Sequence, residues 1–443
     1  MLVRQLKRAA VVSTFAALVV LRLAIVRSWA KPAGDGLQYY RLAEGLREHG
    51  RFAFAGPPLP LSFSRLPGYP VFLWLTSLGQ PLVIDEHIAR AVRWNVAFDV
   101  GTALLLLLAA RAAGMRRAWL AALAVLALPT LWLMSCYALT ESLSMMLTAA
   151  ILAGSVVTLR RGTLAPALAM GACAGLAQLV RFDAICLWPI MIYACLRAPV
   201  ERRRRVVLVA ATLATALALF SPWPLRNLVR FGAPHVAATT WRTWDGRPLA
   251  TGPIQWARTW SDSSRGALFE LYFVNDRPFP LEHDDAIPEG SYDDEAGRQR
   301  LFALFERYNH ERLSPTVNDE FVTLARDRLR HHPWRTIFVL PARRIARLFS
   351  AEPEYEMPMQ VSWLGLPQHR PWLIRADRLL FVLAAIGALL LWRRRQRQWL
   401  WLVLPALALR VGLYSFAIPH ATTERYLVEA FPLFIFLAMP VAD

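Results

Sequence analysis

The chain has 443 residues, of which 56% are hydrophobic and 19% are charged, and its formal net charge is +18 at pH 7. The apolar residues are clustered in long segments, which excludes an ordinary soluble globular protein. A large positive charge is also typical of nucleic-acid-binding proteins. Here the Lys and Arg residues occur mainly in short runs between apolar segments, where they fix membrane topology. The sequence therefore predicts a membrane protein and argues against nucleic-acid binding.

The apolar segments predict about ten transmembrane helices, since a helix needs about 20 apolar residues to cross a bilayer. The first runs roughly from Ala9 to Trp29. It is long, contains Arg22 and Arg27, and is not followed by a small-residue cleavage site, so we expect an uncleaved anchor rather than a secretory signal. The other spans are expected at roughly 88–110, 118–134, 139–159, 164–180, 183–197, 206–223, 373–392, 399–418 and 426–440.

The basic residues between these spans predict the topology. Runs at 111–117, 160–161, 197–205 and 393–397 all fall on the same side as the N-terminal Lys and Arg residues. By the positive-inside rule this side is the cytoplasm, so both termini are expected there, in the inner (plasma) membrane of a bacterium. The opposite, extracytoplasmic face then receives the first loop, a long hydrophilic segment and the turns beside Glu141, Arg181 and Arg425.

Three regions follow from this pattern. Residues 1–223 form an N-terminal transmembrane catalytic core that includes a first outer loop at 30–87, residues 224–372 form an extracytoplasmic insertion, and residues 373–443 form C-terminal transmembrane helices. The insertion is too polar to span and long enough for a small folded unit. The four cysteines show no metal-ligand spacing, so neither a disulfide framework nor a zinc site is expected.

Two segments are predicted to be helices that lie on the outer membrane surface. One is PVFLWLTSLG at 70–79, which is too short to span, and the other is TIFVLPARRIARLF at 336–349, which is amphipathic and interrupted by Pro341. Between them, the acidic stretch at 281–300 is interpreted as a solvated turn that leads into a helix ending near Arg312. A calcium site there is the alternative, although the spacing matches no EF-hand loop.

Charged residues converge on the predicted outer face, and these are the candidate site residues. Asp35 and Glu141 supply carboxylates, whereas Arg65, Arg181, Arg226 and Arg425 supply cations. Ionisable groups at the hydrocarbon edge are costly, so a set of them on one face indicates a functional site. Each also has a local interpretation, namely a turn former, a helix-terminal charge, an ion pair of Arg181 with Asp183, a helix cap or an interfacial anchor.

Transfer of a sugar from a lipid-linked phosphosugar fits such a site. The leaving phosphate needs cations, and the acceptor hydroxyl needs a base. Arg makes bidentate phosphate contacts better than Lys, and the chain contains almost no Lys. A lipid-linked glycan transporter or flippase is the alternative, but its charges would lie near the bilayer midplane between repeated halves, and no internal repeat is found. A glycan polymerase or ligase shares the chemistry and stays open.

Several motifs, in this order, resemble a known family. They are GDGLQYYRLAEGL from Gly34, RLPGYPVFLWL from Arg65, LTESL from Leu139, GLAQLVRFD from Gly175, PWPLRN from Pro222 and TTERYLVEAFPLF from Thr422. The sequence resembles the polytopic, lipid-carrier-dependent glycosyltransferases of the GT-C fold, which include protein O-mannosyltransferases and aminoarabinose transferases of lipid A. The resemblance covers most of the membrane part and is weak in the insertion. It implies an all-α, GT-C-like helix bundle with outer-face juxtamembrane helices and a small extracytoplasmic insertion.

The resemblance also implies roles for individual residues. Asp35 matches the catalytic aspartate of the first loop, a general base in an inverting transfer, and Glu141 matches a second acid at the cavity mouth. Arg181 matches a basic position near the carrier phosphate, with Arg65 and Arg425 as further phosphate contacts. Substrate contacts are expected from the remaining candidates, Tyr39, Tyr40, Tyr426 and Arg226.

One departure concerns a metal. Many relatives carry a second acid directly after the first, but this chain has Gly36. The resemblance therefore leaves a divalent metal open, with Glu141 or Glu44 as substitute ligands. The expected partners are a polyprenyl-phosphate sugar, membrane lipids and a cell-envelope acceptor that is a protein, a lipid or a glycan.

Overall fold

The computed structural model describes residues 2–30, 34–53, 65–78, 83–232, 243–244, 247–248, 252–262, 278–281, 287, 290–350, 371–417 and 425–443. Within these residues the elements are helices, apart from the two-residue antiparallel strands β1 (Thr243–Trp244) and β2 (Arg247–Pro248). The prediction of an all-α chain is confirmed. Parts of the predicted first outer loop and of the predicted insertion, including 282–286 of its acidic stretch, lie outside the described residues.

The helices follow one another in this order. The N-terminal part contains α1 (Leu2–Trp29), α2 (Gly34–His49), α3 (Gly68–Thr76), α4 (Ile84–Ala113), α5 (Trp119–Ala127), α6 (Pro129–Ser135), α7 (Glu141–Arg161), α8 (Leu164–Val180), a 3-10 turn (Phe182–Leu187), α9 (Trp188–Leu196), α10 (Arg202–Phe220) and α11 (Pro222–Phe231). The insertion contains α12 (Gly252–Arg258), α13 (Glu295–Glu311), α14 (Pro315–His331), a π segment (Arg335–Val339) and α15 (Leu340–Ser350). The C-terminal part contains α16 (Pro371–Arg393), α17 (Arg397–Gly412), a π segment (Leu413–Ala417), α18 (Arg425–Val428), α19 (Phe431–Ala438) and a final 3-10 turn (Met439–Val441).

Four of the described helices are long and apolar enough to cross a membrane, namely α1, α4, α7 and Arg397–Ala417. The pair α10 and α11, bent by 41°, is a fifth if the two helices form one span. The helices fit a multi-pass membrane protein, but the expected count of about ten spans is not confirmed. Several expected spans are shorter or broken. The segment at 118–134 divides into α5 and α6, because Leu128 before Pro129 is extended with ψ 120°.

Close helix contacts organise the centre of the bundle. A side chain at Gly171 would place its Cβ 2.4 Å from the Thr212 carbonyl oxygen, and one at Gly175 would place it 2.6 Å from that of Ala216. The α8 and α10 backbones therefore approach through a small-xxx-small face, as membrane helices commonly do. The Thr212 hydroxyl adds a hydrogen bond to the Ala167 carbonyl oxygen at 3.1 Å.

A buried ion pair fixes α1 to the bundle. The Arg22 guanidinium contacts the Asp99 carboxylate of α4, and neither side chain is exposed. Arg22 also donates to the carbonyl oxygens of Val125 (2.6 Å) and Leu126 (3.2 Å) and to Ser135 Oγ (3.1 Å). Because an isolated charge in hydrocarbon is costly, these contacts explain how α1 carries an arginine inside an expected span.

The insertion has its own apolar core, made of α12, α13 and α14 around Trp256, Phe305 and Phe321. The helix expected to end near Arg312 is α13, and Asp294 caps it by accepting the Gly297 amide at 2.6 Å. The expected break in the amphipathic helix is the π segment that precedes Pro341. The predicted position of this amphipathic helix and of α3 on the membrane surface stays a prediction. The division of the chain into three regions also stays a prediction.

The two ends of the bundle carry different residues. At one end the amides of Arg116 and Arg117 donate to the Asp443 carboxylate, and Arg394 Nη1 donates to the Pro440 carbonyl oxygen. This end gathers the basic loops that the topology prediction assigns to the cytoplasm. The candidate site residues lie at the other end.

We expect Gly175→Val to destabilise the fold, because its side chain would press on the α10 backbone at Ala216. Overpacking of this kind costs about 1–3 kcal/mol. Thermal unfolding in detergent measures the effect. Leu176→Val, at the neighbouring exposed position, is the matched control and should unfold near the wild-type temperature. Equal unfolding temperatures for the two variants would contradict the close α8–α10 contact.

Candidate active site

Asp35 lies in the first turn of α2, although the sequence indicated a loop. A carboxylate at this position is favoured by the partial positive charge of a helix N-terminus. Gly36 faces the loop before α7, and a Cβ there would lie 2.9 Å from the Ala138 carbonyl oxygen. The missing second acid therefore has a steric reason, because a longer side chain at position 36 would collide with this backbone.

Two arginines from distant segments hold the Asp35 carboxylate. Arg65, just before α3, donates from Nη2 to Asp35 Oδ1 at 2.5 Å and from Nε to Gln38 Oε1 at 2.8 Å. Arg425, at the start of α18, donates from Nη2 to Asp35 Oδ2 at 3.3 Å and from Nε to Glu141 Oε1 at 2.6 Å. Arg425 thus joins the two carboxylates that the sequence proposed as catalytic.

A second group of charges lies directly beside this one. Arg181 pairs with Asp183 at 3.2 Å and with Glu429 Oε1 at 2.9 Å, and it donates to Tyr414 Oη at 3.1 Å. Arg410 pairs with Asp183 at 2.9 Å and contacts Glu429, while the Tyr414 hydroxyl donates to Asp183. Arg181 Nη1 also donates to Thr140 Oγ1 at 3.2 Å, next to Glu141, which connects the two groups.

Together these residues form what we call the charge network, which contains four carboxylates and four guanidinium groups. The carboxylates are Asp35, Glu141, Asp183 and Glu429, and the guanidinium groups are Arg65, Arg181, Arg410 and Arg425. The carboxylates of Glu141, Asp183 and Glu429 are at most 1% exposed, whereas Asp35 and Arg65 retain 29% and 26%. A ligand from solvent or lipid therefore reaches the network at Asp35 and Arg65.

The charges around Asp35 control its protonation. Burial raises the pKa of this carboxyl, but the positive charges of Arg65 and Arg425 and their hydrogen bonds outweigh that effect. The net pKa lies below its usual value of 3.8. Asp35 is therefore ionised at neutral pH and is poised to accept a hydrogen bond or a proton.

The structure brings most of the proposed site residues together. Asp35, Glu141, Arg65, Arg181 and Arg425 are all in the charge network. Tyr39 lies beside it, with the Arg65 guanidinium carbon 5.5 Å from the ring centre. Tyr426 packs its ring 5.0 Å from that of Tyr414, on the inner side of the network.

Three proposed residues lie elsewhere. Tyr40 points to another side of α2 and contacts His87, with ring centres 5.1 Å apart, and Glu44 accompanies Tyr40 on that side. Arg226 lies on α11, where it donates to Asn227 Oδ1 at 2.7 Å and its guanidinium carbon is 4.9 Å from the Trp223 ring centre. A role of Tyr40 and Arg226 in binding substrate stays a prediction, as does a role of Glu44 as a substitute metal ligand.

Two members of the network, Arg410 and Glu429, and the neighbouring Tyr414 were not proposed from the sequence, and Asp183 was expected only as a local ion-pair partner of Arg181. Arg410 and Glu429 lie inside segments that were interpreted only as membrane spans. A charged residue in such a segment is itself a signal, because it is costly unless it has a partner or a function. Glu429 also follows Arg425 by four residues, a spacing that would place both side chains on one side of a continuous helix.

The carboxylates of the network do not fit a divalent metal. Such a cation requires several oxygen ligands directed at one point, but Asp35 and Glu141 direct oxygens at arginines instead. Within the described ranges no group of three His, Cys, Asp or Glu side chains could hold a metal ion.

Solved structures similar to this chain were found, whereas no protein-family model and no curated protein matches it. ArnT from Cupriavidus metallidurans, solved bound to undecaprenyl phosphate, is 15% identical with a TM-score of 0.42, and the match covers 98% of this chain and 78% of that chain. The Archaeoglobus fulgidus oligosaccharyltransferase, solved with a tethered acceptor peptide, is 13% identical with a TM-score of 0.47, and the match covers 96% of this chain and 49% of that chain. Both are GT-C enzymes, the family that the motifs resemble. Because both TM-scores are below 0.5, the similarity does not assign the activities or ligands of these proteins to this chain.

The lowered pKa of Asp35 predicts a pH dependence of stability. A carboxyl whose folded-state pKa lies below its unfolded value adds stability above that unfolded value and loses it as the pH falls further. We therefore expect the unfolding temperature to fall less steeply from about pH 5 to pH 3 in Asp35→Asn than in wild type. Asp85→Asn, at an exposed carboxylate at the start of α4, should keep the wild-type slope. Identical slopes for all three proteins would refute the ion-pairing of Asp35.

Proposed function

We propose that the chain is an integral-membrane glycosyltransferase that moves a sugar from a polyprenyl-phosphate donor to an acceptor hydroxyl on the extracytoplasmic face. The observation that carries the proposal is the partly exposed Asp35 carboxylate between Arg65 and Arg425, with the buried Glu141 behind Arg425. This arrangement combines a base for a hydroxyl with cations for a phosphate. Each of these four residues lies in one of the motifs that resemble the GT-C family. Asp35 is in GDGLQYYRLAEGL, Arg65 in RLPGYPVFLWL, Glu141 in LTESL and Arg425 in TTERYLVEAFPLF.

The charge balance of the network suggests how donor and acceptor act together. Without a donor, the arginines hold the pKa of Asp35 low, which makes it a weak base. A carrier phosphate that binds Arg65 and Arg425 shares their charge and weakens their hold on Asp35. The basicity of Asp35 then rises only when the donor is present, so that the acceptor is activated beside a bound donor.

The proposed reaction is a single displacement with inversion. The acceptor hydroxyl donates its hydrogen bond to Asp35 and attacks the anomeric carbon of the donor sugar. The bond from that carbon to the phosphate oxygen breaks, the phosphate leaves with the electron pair, and the proton passes to Asp35. Arg65 and Arg425 stabilise the charge that develops on the leaving phosphate, which is electrostatic catalysis by preorganised donors.

Arg181 has a more internal role in this proposal than its motif alone implies. Its guanidinium is 14% exposed and is already held by Asp183, Glu429 and Tyr414. We propose that it supplies positive potential behind the phosphate and keeps Thr140 and Glu141 in position. Arg181→Ala should raise the donor concentration that transfer requires. It would also leave the buried carboxylates of Asp183 and Glu429 with less charge compensation, which can destabilise the fold. The more exposed Arg65 is therefore the better residue for a test of phosphate binding.

Transfer activity in liposomes tests the assignment. The purified protein receives a panel of radiolabelled polyprenyl-phosphate sugars together with extracted cell-envelope acceptors. Asp35→Asn should lower transfer by at least about a hundredfold, the usual contribution of a general base, and Asp85→Asn should retain it. Full activity in Asp35→Asn would exclude Asp35 as the base.

Movement of labelled lipid across the bilayer at equal rates with wild type and Asp35→Asn, and no sugar transfer, would favour the flippase alternative. A polymerase or ligase would instead be recognised by the acceptor that becomes labelled. The responding sugar identifies the donor in either case.

Arg65→Ala separates phosphate binding from base catalysis. The proposal expects its donor KM to rise about tenfold or more, since a charge-assisted hydrogen bond contributes about 1.5–3 kcal/mol. The KM for the acceptor should change little. A fall in kcat alone, with the donor KM unchanged, would argue against a phosphate contact by Arg65.

A further inference from the structure

A polar cavity lies at the opposite end of the bundle from the charge network. Its volume is about 410 Å³, and its lining includes Arg160 of α7, Tyr193 of α9, Arg197, Arg205 of α10 and Gln398 of α17. Four helices thus meet around one concave, basic space. No acidic side chain from the described part of the chain lines it.

Two of the three arginines of this cavity, Arg160 and Arg205, are positioned by the protein. Arg160 donates from Nη2 to the Ala113 carbonyl oxygen at 2.9 Å, and its guanidinium carbon lies 5.1 Å from the Trp399 ring centre. Arg205 donates from Nε to the Ala198 carbonyl oxygen at 3.0 Å. Each arginine uses one nitrogen to fix its direction, which leaves the remaining donors of both guanidinium groups for another acceptor.

Membrane topology alone does not require this arrangement. Arginines that only fix topology need not be held in one direction. Arg202, Arg203 and Arg204 of α10 are exposed, and so is Arg160, but the Arg160 guanidinium is held by the Ala113 carbonyl oxygen and lies over the Trp399 ring. Three guanidinium groups around one cavity repel one another unless an anion lies between them. The cavity therefore has the properties of an anion site, with Tyr193 and Gln398 as additional hydrogen-bonding groups.

The surroundings favour an anion that carries an apolar tail. Leu196 is 49% exposed, and Val206 and Val207 are 59% and 51% exposed beside the cavity arginines. Leu196 ends α9 and the two valines lie in α10, on exposed faces of apolar helices that acyl chains would contact. A soluble phosphate would fill the basic space and leave this apolar rim unused.

We propose that this cavity binds the headgroup of an anionic phospholipid from the leaflet at this end of the bundle. The phosphate accepts hydrogen bonds from Arg160, Arg197 and Arg205, and the headgroup hydroxyls contact Tyr193 and Gln398. The acyl chains lie along α9 and α10. Basic pockets between membrane helices are known to hold anionic headgroups in this manner. The site is separate from the proposed transfer reaction and does not depend on it.

Binding to the delipidated protein in neutral detergent tests the proposal. The probes are dihexanoyl phosphatidylglycerol, dihexanoyl phosphatidylcholine and inorganic phosphate, and the readouts are Kd and the rise in unfolding temperature. Phosphatidylglycerol should bind at least about tenfold more tightly than the other two. Inorganic phosphate that binds as tightly as phosphatidylglycerol would overturn the lipid assignment in favour of a soluble anion.

Two matched variants separate the cavity from general surface charge. Arg197→Gln with Arg205→Gln removes two charges from the cavity, and Arg202→Gln with Arg203→Gln removes two charges from the exposed start of the same helix. Only the first pair should weaken phosphatidylglycerol binding, by about tenfold or more. Equal weakening by both pairs would show nonspecific attraction and overturn the proposal.

The single variant Arg197→Gln is the control for the case in which the double variant folds poorly. Arg197 is exposed, and its side chain makes no hydrogen bond or ion pair to another described residue, so its replacement leaves the fold intact. A severalfold loss of phosphatidylglycerol binding with an unchanged unfolding temperature of the lipid-free protein is the expected result. Unchanged binding would exclude Arg197 from the site and contradict the proposed headgroup contact.

Discussion

Mutual compensation of buried charges at one end of the bundle is the constraint on which the site depends. Four carboxylates and four arginines come from α2, the segment before α3, α7, the turn after α8, α17 and α18 with the turn that follows it. Each charge is tolerated inside the protein only because opposite charges and hydrogen bonds surround it. The same contacts therefore hold the helix ends together and keep Asp35 ionised at the accessible edge. Stability and proposed chemistry depend on one set of side chains.

Topology reasoning identified five of the eight charged residues of this network. Asp35, Glu141, Arg65, Arg181 and Arg425 all follow from the expectation that polar residues between apolar spans meet at one membrane face. Arg410, Glu429 and the neighbouring Tyr414 were not recognised, because they occur within apolar segments and their partners are far away in sequence. Local pattern indicates that a charge lies in a span, but tertiary packing decides which other charge compensates it.

Local geometry explains the remaining differences. The glycines around Asp35 indicated a turn, yet α2 begins at Gly34, and Gly36 serves the close approach to Ala138. Tyr39 and Tyr40 were treated as a pair, but consecutive residues of a helix point about 100° apart, so only Tyr39 faces the network. The amphipathic helix before residue 350 contains Arg344, which is buried and donates to the carbonyl oxygens of Ser261 (3.0 Å) and Ser415 (2.9 Å). This arginine connects the insertion to the residue that follows Tyr414, and hence to the network.

The buried ion pair between Arg22 and Asp99 has a consequence for how the chain is inserted into the membrane. The two residues are 77 positions apart, so ribosomal synthesis delivers α1 to the membrane well before α4 exists. An arginine within a newly inserted helix costs about 2.5–3.5 kcal/mol at the bilayer centre. During that interval Arg22 has no carboxylate partner, and α1 must remain near the insertion machinery or reach toward the headgroups with its side chain. The arrival of α4 then supplies Asp99, so the ion pair couples the integration of the first helix to that of a later one.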